Sequence, residues 1–195
     1  MKIGVFSDVH GHLDELYQTL ALLDLFEVDQ IVCAGDLIDK GLYSNEVVDL
    51  MRDMAIPCVQ GNHDAKIQFG FMSSQILKDN SFVYLTTLPT SLTFKWVGVS
   101  VYVCHANPWE DTSIYVYPTR RPSLLHMVAR AVQEDVIIMG HTHHPMCLMI
   151  EGKVLINPGS IYGNRDRPER TCGVLLLPAC AFEIYDIDTG RRLSL

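Results

Sequence analysis

Aspartate, asparagine and histidine residues recur directly after short apolar runs in this sequence. Such runs are typical of buried β-strands, and in α/β sheets ligands bind beyond the carboxyl ends of the strands. Because the residues follow five separate predicted strands, we expect their side chains to converge on one region. They are Asp8, His10, Asp36, Asn62, His105, His141 and His143.

The side-chain types in this set indicate a metal site. Carboxylate, carboxamide and imidazole groups together suit divalent ions such as Mn²⁺, Fe²⁺ or Zn²⁺ rather than a thiolate-loving metal. The seven candidate ligands are too many for one ion and suit two, with Asp36, alone after its strand, as the bridge. Two ions ~3.5–4 Å apart would clamp the attacking and leaving oxygens of a phosphoryl transfer. We predict two divalent ions, with manganese first and iron, zinc, nickel or cobalt as alternatives.

Two of the candidate pairs are spaced i, i+2 along the chain: Asp8 with His10, and His141 with His143. In an extended turn, residues at this spacing share a face. We therefore expect both members of each pair to point into the same site.

The N-terminal part of the chain predicts a β-α-β-α-β-α order. Leu13, Leu16 and Leu20 follow helical spacing and predict a helix over 13–26, and Ser44 is the predicted N-cap of a second helix. Such alternation implies parallel strands joined by right-handed crossovers. The predicted strands are 2–7, 30–34 and 56–60, followed by a helical stretch to about residue 78.

The rest of the chain predicts more strands. Apolar runs over 92–96 and 99–104 predict a hairpin, and Pro122 starts a predicted helix to about residue 134. This order fits two mixed sheets packed face to face with helices outside. At 195 residues we expect one domain over 1–195. The remaining predicted strands are 136–139, 146–150, 154–157, 174–177 and 182–186.

The charge balance limits the partners. The chain has 15 Lys and Arg against 23 Asp and Glu, a formal charge of −8, which argues against non-specific binding to nucleic acid or to an acidic membrane surface. A small phosphoester remains suitable if bound cations reverse the local charge. No leader-like or membrane-spanning run is visible, and the 6 scattered cysteines resemble buried hydrophobes in a reducing compartment, so we expect a cytoplasmic protein.

The motifs, taken together, resemble those of the calcineurin-like metallophosphoesterase superfamily in order and spacing. The chain resembles in particular the smaller bacterial and archaeal phosphodiesterases of that superfamily. The resemblance implies a four-layer α/β/β/α sandwich and a two-metal site. The matching motifs are Ser7-Asp8-Val9-His10-Gly11, Gly35-Asp36, Gly61-Asn62-His63-Asp64, His105, Gly140-His141-Thr142-His143 and Asn157-Pro158-Gly159-Ser160.

The resemblance also implies roles for the residues. It assigns Asp8, His10, Asp36 and His143 to one ion, and Asp36, Asn62, His105 and His141 to the other. His63 would protonate the leaving group or stabilise the transition state, with Asp64 orienting it. The implied reaction is in-line attack on phosphorus by a hydroxide held between the metals.

The sequence departs from the usual pattern at three places. His12 stands where Asn is common, Ala106 where Gly is usual, and Asp39-Lys40-Gly41 where an Asp-Arg-Gly occurs in the protein-phosphatase and dinucleoside-tetraphosphatase branches. A lysine there offers a single compact positive charge, whereas the planar guanidinium of an arginine can bind phosphate through two N–H groups. We predict Lys40 and Arg165 as substrate-binding residues, and the choice between diester and monoester stays open.

We predict a metal-dependent phosphodiesterase with a small phosphoester substrate. The alternatives are a monoesterase of the protein-phosphatase or dinucleoside-tetraphosphatase type, a non-catalytic scaffold with the same fold, and a single-metal hydrolase. Whether the chain forms a homo-oligomer stays open. Between residues 106 and 121, aromatic and basic side chains could stack on a base and hold phosphate, although a surface loop or oligomer contact is the favoured interpretation. They are Trp109, Tyr115, Tyr117, Arg120 and Arg121.

Overall fold

The computed structural model describes residues 1–69, 76–163 and 169–194. Within these ranges the helices are α1 Leu13–Leu25, α2 Ser44–Asp53, α3 Asn62–Lys66, α4 Asp79–Thr87 and α5 Pro122–Ala131, with a 3₁₀ turn at Ile67–Phe69. The strands are β1 Lys2–Phe6, β2 Gln30–Cys33, β3 Ser91–Trp96, β4 Val99–Cys104, β5 Val136–Ile138, β6 Met146–Ile150, β7 Lys153–Asn157, β8 Thr171–Leu176, β9 Ala181–Asp186 and β10 Arg192–Leu193. No helix in these ranges is long and apolar enough to cross a membrane.

The strands form two mixed sheets. In the first sheet the order is β10-β9-β8-β1-β2, with β1 parallel to β2 and antiparallel to β8. In the second sheet the order is β3-β4-β5-β7-β6, with β5 parallel to both of its neighbours. The parallel pairing of β1 with β2 and the hairpin of β3 with β4 are confirmed.

Apolar side chains alternate between the two faces of each sheet and so pack the sheets against each other and against the helices. In β1, Ile3 and Val5 belong to an apolar cluster shared by both sheets, whereas Phe6 packs with α1 and α2. In β5, Ile137 packs against α5 on the outer side of the second sheet. Since successive strand residues face opposite sides, each sheet buries both faces. The predicted α/β fold of two packed mixed sheets flanked by helices is therefore confirmed.

One glycine sets the distance between a helix and a sheet. A Cβ atom at Gly4 in β1 would lie 2.9 Å from Cδ1 of Leu23 in α1. Leu23 is fully buried. Glycine therefore lets α1 pack closely on the first sheet.

The predicted strand over 56–60 is wrong, because the structure has only an isolated bridge there, between Cys33 and Cys58. Pro57 lacks an N–H and contributes only its carbonyl oxygen to Cys33 N–H. Of the predicted helical stretch to residue 78, α3 and the 3₁₀ turn cover 62–69, residues 70–75 lie outside the described part, and residues 76–78 are not helical. Ser44 is the first residue of α2 rather than its cap, and Tyr43 holds the cap position.

Candidate metal centre

The first group of predicted ligands comes from the loops after β1, β2 and β5. The distance from His143 Nε2 to Asp8 Oδ1 is 3.2 Å, and the distance from His143 Nε2 to His10 Nε2 is 3.2 Å. The His10 Nε2 atom lies 3.7 Å from Asp36 Oδ2. Asp8, His10 and Asp36 are buried. These four side chains therefore surround one point.

The second group shares Asp36 with the first. Asp36 Oδ2 lies 3.3 Å from His105 Nε2, which lies 3.1 Å from Asn62 Oδ1. The Asn62 oxygen is 2.8 Å from His141 Nδ1. Asp36 Oδ2 thus stands between the two groups, while its Oδ1 accepts the His63 backbone N–H at 2.8 Å. The structure brings all seven predicted ligands together in the two expected groups, and their role as ligands stays a prediction.

Each of the four histidines is held by a backbone carbonyl at the nitrogen that faces away from the centre. Such a carbonyl accepts an N–H, which leaves the inner nitrogen with a lone pair, as a metal ligand requires. The outer contacts are His10 Nδ1 to Ile38 O at 3.3 Å, His105 Nδ1 to Ala34 O at 2.7 Å, His141 Nε2 to Thr112 O at 3.0 Å and His143 Nδ1 to Gly163 O at 2.9 Å.

The donor atoms fit a cation. Asp8 Oδ1 is buried, and among the described residues no group, including His143 Nε2 at 3.2 Å, has hydrogen-bond geometry to it. The inner nitrogens of His10 and His143 face each other, and the Lys40 ammonium lies 3.1 Å from His10 Nε2. Ligand atoms on one ion with bonds of about 2.0–2.2 Å would stand roughly 3–3.5 Å apart, close to these spacings. The centre therefore has the composition and the dimensions of a metal site.

The electrostatics of the centre also require positive charge. Burial would lower the pKa of His105, but the Asp36 and Asp8 carboxylates outweigh it and raise the pKa to about 10. Burial would raise the pKa of Asp36, but His105 and the neighbouring imidazoles hold it below its usual range. Burial lowers the pKa of His10 to about 3 and that of His141 to about 4. The buried carboxylates of Asp8 and Asp36 thus attract protons or cations, while the imidazoles of His10 and His141 stay neutral.

Five of the seven candidate ligands have left-handed backbone. This conformation is uncommon for residues other than glycine, and it concentrates at functional sites. The extended turn expected for the i, i+2 pairs is therefore wrong: each pair shares the site because both of its residues have positive φ. The φ angles are 56° at Asp8, 51° at His10, 58° at Asp36, 68° at His141 and 57° at His143.

Asn157 supports the loop that carries His141 and His143. Its Nδ2 donates to Gly140 O at 2.6 Å and to Thr142 Oγ1 at 3.1 Å. Asn157 is 1% exposed. In the sequence only the family resemblance marks this motif, and in the structure it links β7 to the loop of His141 and His143.

The imidazole of His63 contacts Asp39 rather than Asp64. His63 Nδ1 lies 2.7 Å from Asp39 Oδ2. Asp64 instead accepts backbone N–H groups, from Asp36 at 3.0 Å and from Leu37 at 2.9 Å among others. The expectation that Asp64 orients the His63 ring therefore differs from the structure, in which Asp64 holds the backbone of the Asp36 loop. The Asp39-Lys40-Gly41 motif marked Asp39, but only the fold brings it to His63.

The metal centre opens into a cleft of about 800 Å³. Lys40 and Tyr162 line one part of it, and the Lys40 ammonium lies 5.1 Å from the Tyr162 ring centroid. Tyr115 and Tyr117 also line it. Tyr162 was not singled out by the sequence analysis, because a lone tyrosine in a loop carries no pattern. The cleft can hold a small phosphoester against the centre.

Other residues considered at the sequence level lie elsewhere. Trp109 is half-buried and packs against the apolar cluster beside α5 rather than lining the cleft. Arg165 lies outside the described residues, so its predicted contact with substrate stays a prediction. His12 stacks near Tyr162 at the edge of the site, with ring centroids 4.5 Å apart.

The fold and the donor set resemble those of metal-dependent phosphoesterases. Residues 1–178 match the model of the calcineurin-like phosphoesterase superfamily domain, and the chain belongs to that superfamily. The family resemblance drawn from the motifs is confirmed.

The relatives agree with this assignment. A "Probable metallophosphoesterase" from Methanothermobacter thermautotrophicus is 30% identical over 163 residues, which cover 82% of this chain and 77% of that protein. A "Phosphodiesterase" from Methanocaldococcus jannaschii is 23% identical over 163 residues, which cover 84% of this chain and 86% of that protein. The crystal structure of a metallophosphoesterase from Sphaerobacter thermophilus shares the fold, with a TM-score of 0.78, 23% identity and coverage of 100% of this chain and 89% of that one.

Proposed function

We propose that this protein is a phosphodiesterase that uses two divalent metal ions. The observation that carries the proposal is the position of Asp36 Oδ2, 3.7 Å from His10 Nε2 and 3.3 Å from His105 Nε2, which suits a carboxylate shared by two ions. Asp8, His10 and His143 would complete one site, and Asn62, His105 and His141 the other. When bound, the ions lower the pKa of a coordinated water and neutralise charge on the phosphoryl oxygens.

The residues of the chain supply the remaining chemistry. His63 lines the cleft, and its Nδ1 is held by Asp39, so that its Nε2 can deliver a proton to the leaving oxygen. Lys40 also lines the cleft and brings a positive charge for the phosphoryl group. Asp64 keeps the Asp36 loop in place through its backbone contacts.

Three considerations support a diester over a monoester. A diester carries one negative charge, and among the described cleft residues the cationic side chain is Lys40. The relative from Methanocaldococcus jannaschii is named a phosphodiesterase. Lysine, unlike arginine, cannot bind a terminal phosphate through a planar fork.

The test combines metal counting with paired substrates. The protein is stripped with a chelator, reloaded with Mn²⁺ and assayed on bis(p-nitrophenyl) phosphate and p-nitrophenyl phosphate. We expect two ions per chain at saturation, no turnover without metal and a higher kcat/KM for the diester. One ion per chain would favour a single-metal hydrolase, a preference for the monoester would overturn the substrate class, and full turnover of stripped protein would overturn the mechanism.

A further inference from the structure

Two tyrosine rings and an arginine form a loose, offset stack that begins at His141. The Tyr115 and His141 ring centroids are 4.1 Å apart with an interplanar angle of 23°. Tyr117 lies nearly parallel to Tyr115, at 13° and 6.1 Å between centroids. The Arg120 guanidinium lies 4.8 Å from the Tyr117 centroid. The stack therefore leads from the metal centre along one side of the cleft, and we refer to Tyr115 and Tyr117 as the tyrosine wall.

Part of the tyrosine wall is open to solvent. Tyr115 is 47% exposed, and the two rings, 6.1 Å apart, cover each other only in part, whereas Tyr117 is half-buried and also contacts the His144 ring edge-on at 5.1 Å. Both rings line the cleft and also an adjoining pocket of about 330 Å³, which Arg120 and Arg121 line as well. A planar group could therefore lie on this surface while its phosphate reaches the metal centre.

The segment that carries the tyrosine wall is held in place without a ligand. Buried Asn107 donates from Nδ2 to Asp111 O at 2.6 Å and to Ile114 O at 3.2 Å. Val116, only 2% exposed, packs into the core beside α5. Because Val116 points inward, its neighbours Tyr115 and Tyr117 lie on the opposite, cleft side. Little conformational entropy is lost when a ligand binds to a surface fixed in this way.

We propose that the tyrosine wall binds a nucleobase, and that the substrate is a small nucleotide phosphodiester. Aromatic side chains bind bases by stacking, and arginine supplies positive charge beside them. The formal charge of −8 opposes binding of a long nucleic acid, so the proposal commits to a small nucleotide. The inference rests on the proposed function and adds the class of substrate to it.

The test measures binding and does not depend on turnover. Equilibrium dialysis of the full, Mn²⁺-loaded chain compares adenosine 5′-monophosphate with ribose 5-phosphate, which has the same phosphate and no base. We expect tighter binding of the nucleotide. Tyr117→Leu should weaken nucleotide binding by about tenfold and leave ribose 5-phosphate within about twofold, whereas Tyr117→Phe should bind as the wild type does. Tyr17→Leu, at a 54% exposed tyrosine on α1, is the matched control.

Several outcomes would overturn the inference. They are equal binding of the two ligands by the wild type, equal effects of Tyr117→Leu and Tyr17→Leu, and tighter binding of a single-stranded decanucleotide than of the mononucleotide. The wild-type comparison decides the matter even if Tyr117→Leu does not fold. Base-dependent binding without hydrolysis of any diester would contradict the proposed function and leave the base site standing, so that the two failures are distinguishable.

Discussion

His63 Nδ1 lies 2.7 Å from Asp39 Oδ2, and the two residues come from different loops, the first at the start of α3 and the second between β2 and α2. A carboxylate at this nitrogen fixes the orientation of the ring and leaves Nε2 facing the cleft. Asp39 has a left-handed backbone, with φ 76°. The proposed proton donor is therefore positioned by a neighbouring loop, and this relationship leads to the first two predictions.

Replacement of Asp39 by Asn should slow the reaction without removing the metals. Asparagine keeps the size of the side chain but removes the charge that holds the imidazole. We expect kcat to fall about 10- to 100-fold, a part of the roughly 10²–10⁴-fold that a general acid contributes, with KM little changed. Asp24→Asn, at an exposed aspartate of α1, is the control. A wild-type kcat in Asp39→Asn would contradict the positioning role.

Replacement of His63 by Ala tests the proton donor itself. Since His63 is proposed as a donor and not as a ligand, both metals should remain while kcat falls by about 10²–10⁴-fold. Metal content by mass spectrometry and steady-state rates on the diester check the two parts separately. Loss of a metal from this variant would show that His63 had been misassigned.

The metal-free protein should lose stability as the pH rises above neutrality. The pKa of His105 is raised from 6.5 to about 10 in the folded chain, so its proton stabilises the fold fully below pH 6.5 and the contribution is lost as the pH approaches 10. Burial would lower the pKa of His143, but the Asp8 carboxylate outweighs burial and raises this pKa. The contribution of the His143 proton to stability is therefore also lost as the pH rises. Melting temperatures of chelated protein should therefore fall through this range.

The Mn²⁺-loaded protein provides the comparison for that measurement. A ligated imidazole must already be neutral, so the loaded protein should not show this alkaline decline. A metal-free melting temperature that stays constant from about pH 6.5 to 9.5 would contradict the assignment of charge in the centre.

Replacement of Asn157 by Ala should destabilise the fold and weaken metal binding. The substitution leaves the buried Gly159 N–H without its acceptor, Asn157 Oδ1, and removes one of the donors to Gly140 O, which together cost about 1–3 kcal/mol. Urea unfolding of metal-free protein measures this loss, and metal titration measures the second effect. Asn80→Ala, at an exposed asparagine that bonds only the next backbone N–H among its described contacts, should change stability by less than about 0.5 kcal/mol.

The sequence predicted the sheets, and the convergence of the seven candidate ligands, better than the connections between the strands. Apolar runs such as Val136–Ile138 are visible as strands, and the polar residues that follow such runs are visible as candidate ligands. The helix α4 was missed because the apolar residues of Asp79–Thr87 lie next to one another and show no helical spacing. The strand β10, Arg192–Leu193, is too short to produce a pattern.

Features that depend on tertiary contacts could not be predicted from the pattern. The left-handed backbone at Asp8 and His143 involves residues that usually avoid it, and the surrounding fold imposes it. The contact between His63 and Asp39 spans 24 positions and requires two loops to meet. Asp64 follows His63 directly and was therefore the natural partner to expect, but its carboxylate turns toward the backbone of Leu37.

The Oδ1 atom of Asp36 accepts the backbone N–H of His63, while Oδ2 faces both ligand groups. One buried carboxylate would therefore couple the size of a bound cation to the position of His63, the proposed proton donor. An ion of larger radius that pushed this carboxylate outward would also displace the start of α3 and, with it, the imidazole of His63. Exchange of one divalent ion for another should consequently alter the proposed proton transfer to the departing alkoxide as well as the Lewis acidity of the centre. The metal preference would then depend on the loop that carries His63 and not only on the ligands.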